Sequence, residues 1–482
     1  MERQRPSTLE EALAVIEAQW CMIDALQAQV AALTARVQEL EARLNQNSSN
    51  SSRPPSSDPP GIRPATFKHR SGRKRGGQPG HESHQRALLP PERVSETHDL
   101  RPEKCRRCGG RLQGDDPEPL RHQVIDIPRV LAMAVEYRLH ALECPHCHIT
   151  TCAELPLGVP WGHFGPRLQA FIAVLAGAYR LSHRMIGQVV ADIYGVELAL
   201  GSVAKVEQQT SAALAAPVEA AAQHVQSQSV VHADETSWRE AKQKAWLWVV
   251  ATANLAVFLI HRSRGAEVAK QLLGAFFRGV LVSDRWSGYN WVDPGRRQVC
   301  WAHLLRQFAG FEDYGGYAQA VGMALQGNCR RMFEWWYRVR DGTLSRSTFR
   351  HYMRPVEKRI LGLLHEGTRC GVRKVAGRCA EILKLEGALF TFVSLAGVEP
   401  TNNAAERAIR HAVLWRKCSY GTDSESGSQF VARILTAVTT LRLQHRHVLD
   451  WVTAACEARL ALRAPPSLLP AVPAQNAYAL AA

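Results

Sequence analysis

The stretch from Ser229 to His303 constrains the fold more than any other part of this chain. Three β-rich runs, SVVHADETSW, KAWLWVVATA and AVFLIHRS, are separated by turn-like breaks with room only for hairpins, so they read as consecutive antiparallel strands. GAEVAKQLLGAFF then reads as a helix, RGVLVSDRW as a compact apolar strand ending in a carboxylate, and RRQVCWAH as a fifth strand running into a helix. Strands and helix in this order imply a multidomain α/β protein.

At 482 residues the chain is too long for one hydrophobic core and is expected to divide into roughly three domains. The formal net charge of +15 favours a polyanionic partner, because clustered Lys and Arg gain affinity by releasing phosphate counterions. The apolar run from Leu168 to Tyr179 lies between Arg167 and Arg180 and is shorter than the ~20 residues of a membrane span, so no membrane segment is expected. The N-terminus lacks the zones of a signal peptide, which implies a cytoplasmic address. In that reducing compartment the 12 cysteines are thiols or metal ligands before they are disulfides.

Residues 1–44 carry a heptad repeat. Leu9, Ile16, Ile23, Val30, Val37 and Leu44 fill one site and Leu26, Leu33 and Leu40 the other, although Ala12 and Gln19 weaken the early heptads. β-branched residues opposite leucines favour a parallel two-stranded coiled coil, hence a homo-oligomer; a helix folded back on its own chain is the alternative. Residues 45–100 read as a linker and arm. NQNSSNSSRPPSSDPPGIRP cannot bury a core, and the following run is free of acids while it holds Lys68, Arg70, Arg73, Lys74 and Arg75, an arm suited to phosphates or else a solvated basic tail. Residues 101–160 contain Cys105-x-x-Cys108 and Cys144-x-x-Cys147, separated by a strand-like alternation from His122 to Leu142. Four thiolates at this spacing suit a closed tetrahedral Zn²⁺ site, structural and not catalytic, in a zinc ribbon. Residues 161–225 are helical, and the segment around Gly195 to Gly201 fits either a helix-turn-helix that reads DNA or an all-helical connector.

Three acids stand out around the strands: Asp234 on the first, Asp284 ending the fourth, and Glu406 near the start of a late helix opened by TNNAAERAIR. Acids converging from distant segments suit two Mg²⁺ (or Mn²⁺) ions, which prefer carboxylate oxygens and clamp the attacking and leaving oxygens of phosphoryl transfer. The element order is compatible with a ribonuclease H-like catalytic core, here 226–317 and 397–464, interrupted by a helical insertion over 318–396. Each acid also has a local explanation. Asp234 could be a solvated strand end, Asp284 a turn residue before Ser287-Gly288, and Glu406 a capping-box partner of Asn403.

HADETSW, SDRWSGYN, CWAHLLRQF and TNNAAERAIR, in this order, resemble the catalytic motifs of the insertion sequence 66 family of transposases, and the resemblance extends upstream to the linker, the basic arm and the knuckles. It implies a DDE-type transposase of a bacterial mobile element, nucleoid-associated, with Asp234, Asp284 and Glu406 as the triad, DNA ends and target as substrates, and companion proteins of the same element as partners. His303 and Arg306 are expected as catalytic support, with a satisfied helix-start histidine as the plainer reading. Arg407 and Arg410 suit phosphate contacts or the surface. Residues 465–482 read as a disordered tail. The rival readings are a nuclease of the same fold without strand transfer and an inactive zinc-containing DNA-binding regulator.

Overall fold

The computed structural model describes residues 8–51, 58 and 86–470. Helix α1 (Leu9–Leu44) opens with a capping box: Glu11 N donates to Thr8 Oγ1 at 3.2 Å and Thr8 N to Glu11 Oε2 at 3.3 Å. At 1.5 Å per residue it is about 54 Å long, and its heptad residues Ile23, Leu26, Val30, Leu33 and Val37 are exposed along it. Its last turns rest on the rest of the chain through buried Ala42 and a Glu39–Lys374 ion pair of 3.1 Å.

The expected strands between His122 and Leu142 do not form. Residues 122–140 are irregular and almost all exposed, and only β1 (Ala141–Glu143) and β2 (Thr150–Cys152) pair, antiparallel, around the second knuckle. Alternation predicts a strand only where a partner and an apolar layer exist to bury one face, and no such layer covers this segment among the described residues.

Helices α2 (Pro166–Gly177), α3 (His183–Tyr194) and α4 (Leu200–Gln226) follow. Gly195, at φ 68°, ends α3 in the left-handed conformation that a residue without Cβ adopts freely. The central sheet is built from β3 (Val230–Glu240), β4 (Gln243–Ala251), β5 (Ala256–His261), β6 (Val280–Ser283) and β7 (Arg297–Val299), in the order β5-β4-β3-β6-β7. The first three are antiparallel; helix α5 (Ala266–Leu273) carries the chain across, so that β6 and β7 run parallel to β3.

Helices α6 (Trp301–Ala309), α7 (Gly316–Arg340), α8 (Arg346–Gly367), α9 (Arg373–Leu383) and the short α10 (Thr391–Ser394) form a second core with β6 and β7, around Trp301, Phe308, Phe349 and Phe392. The chain then returns to the sheet as α11 (Asn403–Ser419), α12 (Glu425–Leu443) and α13 (Val448–Leu460). Helix α12 covers the edge of β5: Ala256 N donates to Thr440 Oγ1 and Phe258 N to Thr436 Oγ1, satisfying amides that an edge strand would otherwise leave open.

Candidate active site

Parallel pairing sets two of the acids side by side. β3 and β6 pair as Val230↔Val280, Val231↔Leu281 and His232↔Val282, and the same offset two residues on places Asp234 level with Asp284. Each spends a carboxylate oxygen on a backbone amide, Asp234 Oδ1 on Glu235 N and Asp284 Oδ1 on Trp286 N, both at 2.9 Å.

The third acid arrives after the long helical excursion, and buried polar contacts fix its return. Gln298 on β7 donates to Leu389 O at 3.0 Å and accepts from Phe392 N at 2.8 Å, while Trp301 N donates to Pro400 O at 2.9 Å. Asn402, fully buried, then donates through its side chain to Ala233 O at 2.8 Å and through its backbone to Cys300 Sγ at 3.2 Å. Glu406, in the first turn of α11, thereby faces β3. The capping box of Asn403 and Glu406, the alternative local explanation of that acid, is absent. Asn402 is the N-cap, and its side chain is drawn to Ala233 and caps nothing, so Glu406 has no Asn403 to answer.

The carboxylates repel one another. Burial, then the charges of Glu235, Asp284 and Glu406, hold the Asp234 carboxyl well above the usual carboxylate range. Hard oxygen donors suit Mg²⁺ or Mn²⁺, since a dication would offset both the burial and the repulsion, but among the described residues Asp234, Asp284 and Glu406 are not gathered closely enough to share a single ion. His303 Nδ1 lies 3.6 Å from Glu406 Oε1, and Cys300 Sγ lies 3.8 Å from the same oxygen. Burial, followed by the Arg306 charge, holds His303 below its ordinary value; burial, then Glu406, pushes the Cys300 thiol up to about 12. Cys300, His303 and Glu406 are also the one group of three potential metal ligands found close together among the described residues.

Sequence reading passed over the layer behind the triad. Glu235, with a side chain 2% exposed, takes both Arg264 Nη2 (2.6 Å) and Nε (3.0 Å) on Oε1, and accepts from Tyr289 Oη on Oε2 at 2.9 Å. The Arg264 guanidinium sits over the Trp246 and Trp286 rings, 4.6 and 5.0 Å from their centroids. The adjacent acids in HADETSW were a signal for Glu235; nothing local marked Arg264 or Asn402 as its neighbours' partners.

Other expected residues fall elsewhere. Arg407 and Arg410 are exposed on α11, and Arg306 follows His303 on α6 with its Nε buried and without a hydrogen-bond partner among the described residues. Lys68, Arg70, Arg73, Lys74 and Arg75 lie outside the described residues. Cys105 and Cys108 share one tight turn, closed by Gly109 N donating to Cys105 O at 2.9 Å, and Cys144 and Cys147 share another, closed by His148 N donating to Cys144 O at 2.9 Å. Backbone amides of the same turns lower the Cys105 and Cys144 thiols. The structure brings each pair together and does not gather the four sulphurs into one group.

Acids held together at the junction of a hairpin and two parallel strands, beside exposed arginines, mark a candidate centre for chemistry on a phosphate polymer. Residues 162–430 match the family described as Transposase IS66 family, and residues 2–87 match a family of unknown function, DUF6444. This chain belongs to the IS66 family of transposases. Similar proteins include the uncharacterized protein y4qI of Sinorhizobium fredii (strain NBRC 101917 / NGR234), 28% identical over 238 residues, which are 44% of this chain and 43% of that protein. The uncharacterized protein y4hP of the same strain is 24% identical over 406 residues, 73% of this chain and 69% of its own. The chain thus spans less than half of the first relative and about two thirds of the second. No helix among the described residues is long and apolar enough to cross a membrane.

Proposed function

We propose that this chain is a DDE-type DNA transposase with a ribonuclease H-like core, which cleaves the ends of a mobile element and joins the freed 3′ hydroxyl to target DNA. The observation that supports the reading is the approach of Asp234, Asp284 and Glu406 from two parallel strands and a returning helix, where burial first and then the charges of the neighbouring acids raise Asp234. Mg²⁺ or Mn²⁺, two ions in this reading, supplies Lewis acidity to the attacking and leaving oxygens when bound. Water attacks phosphorus, the bond to the 3′ oxygen breaks, and the released 3′ hydroxyl repeats the displacement on target DNA; no covalent protein intermediate forms.

The chain's residues have distinct parts in this reading. Asp234, Asp284 and Glu406 hold the ions; the Arg264–Glu235–Tyr289 network stiffens the strand behind them; His303 and Arg306 line the approach to Glu406, and the buried Arg306 Nε, without a partner among the described residues, suits a phosphate oxygen. Arg407, Arg410 and the basic arm bind DNA. Cys105, Cys108, Cys144 and Cys147 hold one structural Zn²⁺, supported by turns whose amides favour the thiolates, and α1 joins copies of the chain through its exposed heptads.

Cleavage and joining of element-end DNA by purified protein tests the proposal. Asp234→Asn, Asp284→Asn and Glu406→Gln are each expected to abolish Mg²⁺-dependent cleavage and leave DNA binding near parental. Near-parental cleavage by any of the three would move the site elsewhere.

A further inference from the structure

Beyond Asp234 the β3–β4 hairpin projects past the end of β6, and the last turns of α11 run alongside it. Between them lies a groove of about 650 Å³ lined by Arg239, Lys242 and Lys244 from the hairpin and Arg416, Lys417 and Tyr420 from the helix end, with no carboxylate in its lining among the described residues. Its walls are laced together. Arg416 Nη1 donates to Thr236 Oγ1 at 2.9 Å and Ser237 O at 3.1 Å, while Ala241 N donates to Thr422 O and Thr422 N to Arg239 O, both at 2.9 Å. The close approach requires Gly421, where a Cβ would stand 2.1 Å from Arg239 O.

Two of the lining residues are held in a backbone conformation their side chains disfavour. The hairpin turns through Ala241 (φ 48°) and Lys242 (φ 64°), the tight turn for which Asn-Gly is the ordinary choice, and α11 ends at Tyr420 (φ 60°), where glycine is usual. Of the seven non-glycine residues with positive φ among those described, Lys242 and Tyr420 line this one groove and Ala241 adjoins Lys242. Strain of this kind persists where the side chain has a use that glycine cannot serve. Here it sets Lys242 and a 76% exposed Tyr420 on the groove's lip.

The groove also continues the line of the site. Arg416 lies ten residues after Glu406 on the same helix, about 15 Å, and Arg239 five residues after Asp234 on the same strand, about 17 Å. That reach matches roughly four base pairs of duplex at 3.4 Å each. Five cations held together repel one another in the isolated chain, and an exposed, elongated cationic track with an aromatic lip suits a sugar–phosphate backbone better than a small anion, which needs enclosing donors.

We propose that this groove binds the phosphate backbone of duplex DNA about 15 Å from the catalytic carboxylates, a second point of attachment that is indifferent to base sequence. The proposal rests on the transposase reading and names where that reading's DNA is held outside the reacting phosphate.

The test measures binding of a fluorescent random-sequence duplex across a salt series. Replacing Lys242 and Lys417 together by Ala removes two exposed charges, so the folded content by circular dichroism stays parental while affinity falls and the slope of log K against log salt shrinks by roughly 1.8. Tyr420→Gly is expected to raise the melting temperature and weaken binding; unchanged binding counts against the groove. A double variant with parental affinity and slope overturns the proposal. Nicking by the parent separates the two ideas. If Asp234-dependent nicking is present and the double variant binds normally, only the groove falls; if the parent neither binds nor nicks DNA, the transposase reading falls with it.

Discussion

Asn402 shows how much one side chain can decide. Its amide reaches Ala233 O from the head of α11, so the helix that bears Glu406 is pinned to the strand that bears Asp234. Asn402→Ala leaves that carbonyl buried and unpaired, which costs about 1–3 kcal/mol of stability by the usual penalty for an orphaned group. Cleavage should fall further than stability alone explains, and urea unfolding run beside a nicking assay reads both; parental values in both would remove the pin. His232, two residues before Asp234, carries a pH dependence. Burial first, and then the Arg407 charge, lower it from 6.5 to about 4. The unfolded chain therefore binds a proton that the folded chain refuses, so the contribution of His232 is intact above about 6.5 and is lost as pH falls toward 4. Thermal unfolding of parent and His232→Gln across that window should differ in slope by close to one proton, and parallel curves would mean that the imidazole stays accessible.

At the scale of elements, α1 stands apart. Its heptad leucines and valines are exposed along about 54 Å, and its last turns meet the rest of the chain through Ala42 and Glu39. An a/d seam left in water is unstable alone, so deletion of residues 1–44 should lower the oligomeric state and leave the central core folded. Light scattering on both chains checks this; an unchanged mass would assign assembly to another surface. The heptads were legible in the sequence because their spacing is local to one helix. The strands anticipated between His122 and Leu142 were not real strands, although their alternation looked equally regular, because a strand also needs a neighbour.

For the whole molecule, the decisive joint is between the two cores. The helices from α6 to α10 pack around β6 and β7, whereas α11 to α13 pack against β3, β4, β5 and the helices before the sheet. Gln298 is fully buried at this joint, bonded to Leu389 O and Phe392 N. Gln298→Leu keeps much of the volume and strands the Phe392 amide, at about 1–3 kcal/mol. The fold should survive with a looser return of the chain to Asn402, and hence a loss of cleavage out of proportion to the loss of stability. Parental cleavage would show that Glu406 is placed without this joint.

The order of strands and helices from Ser229 to His303, the choice of Asp234, Asp284 and Glu406 as candidates and the heptad spacing all came from sequence alone, since each depends on residue type and on spacing within one element. Tertiary structure decided the rest. The offset of β6 against β3 puts Asp284 level with Asp234; the return through Gln298 and Asn402 brings Glu406 to them and denies it the cap that Asn403 suggested; Arg264 and Tyr289 close on Glu235 from separate segments. Periodicity records which face of an element is buried, but which faces meet is settled by contacts between residues far apart in the chain, whose cost and gain no local pattern contains.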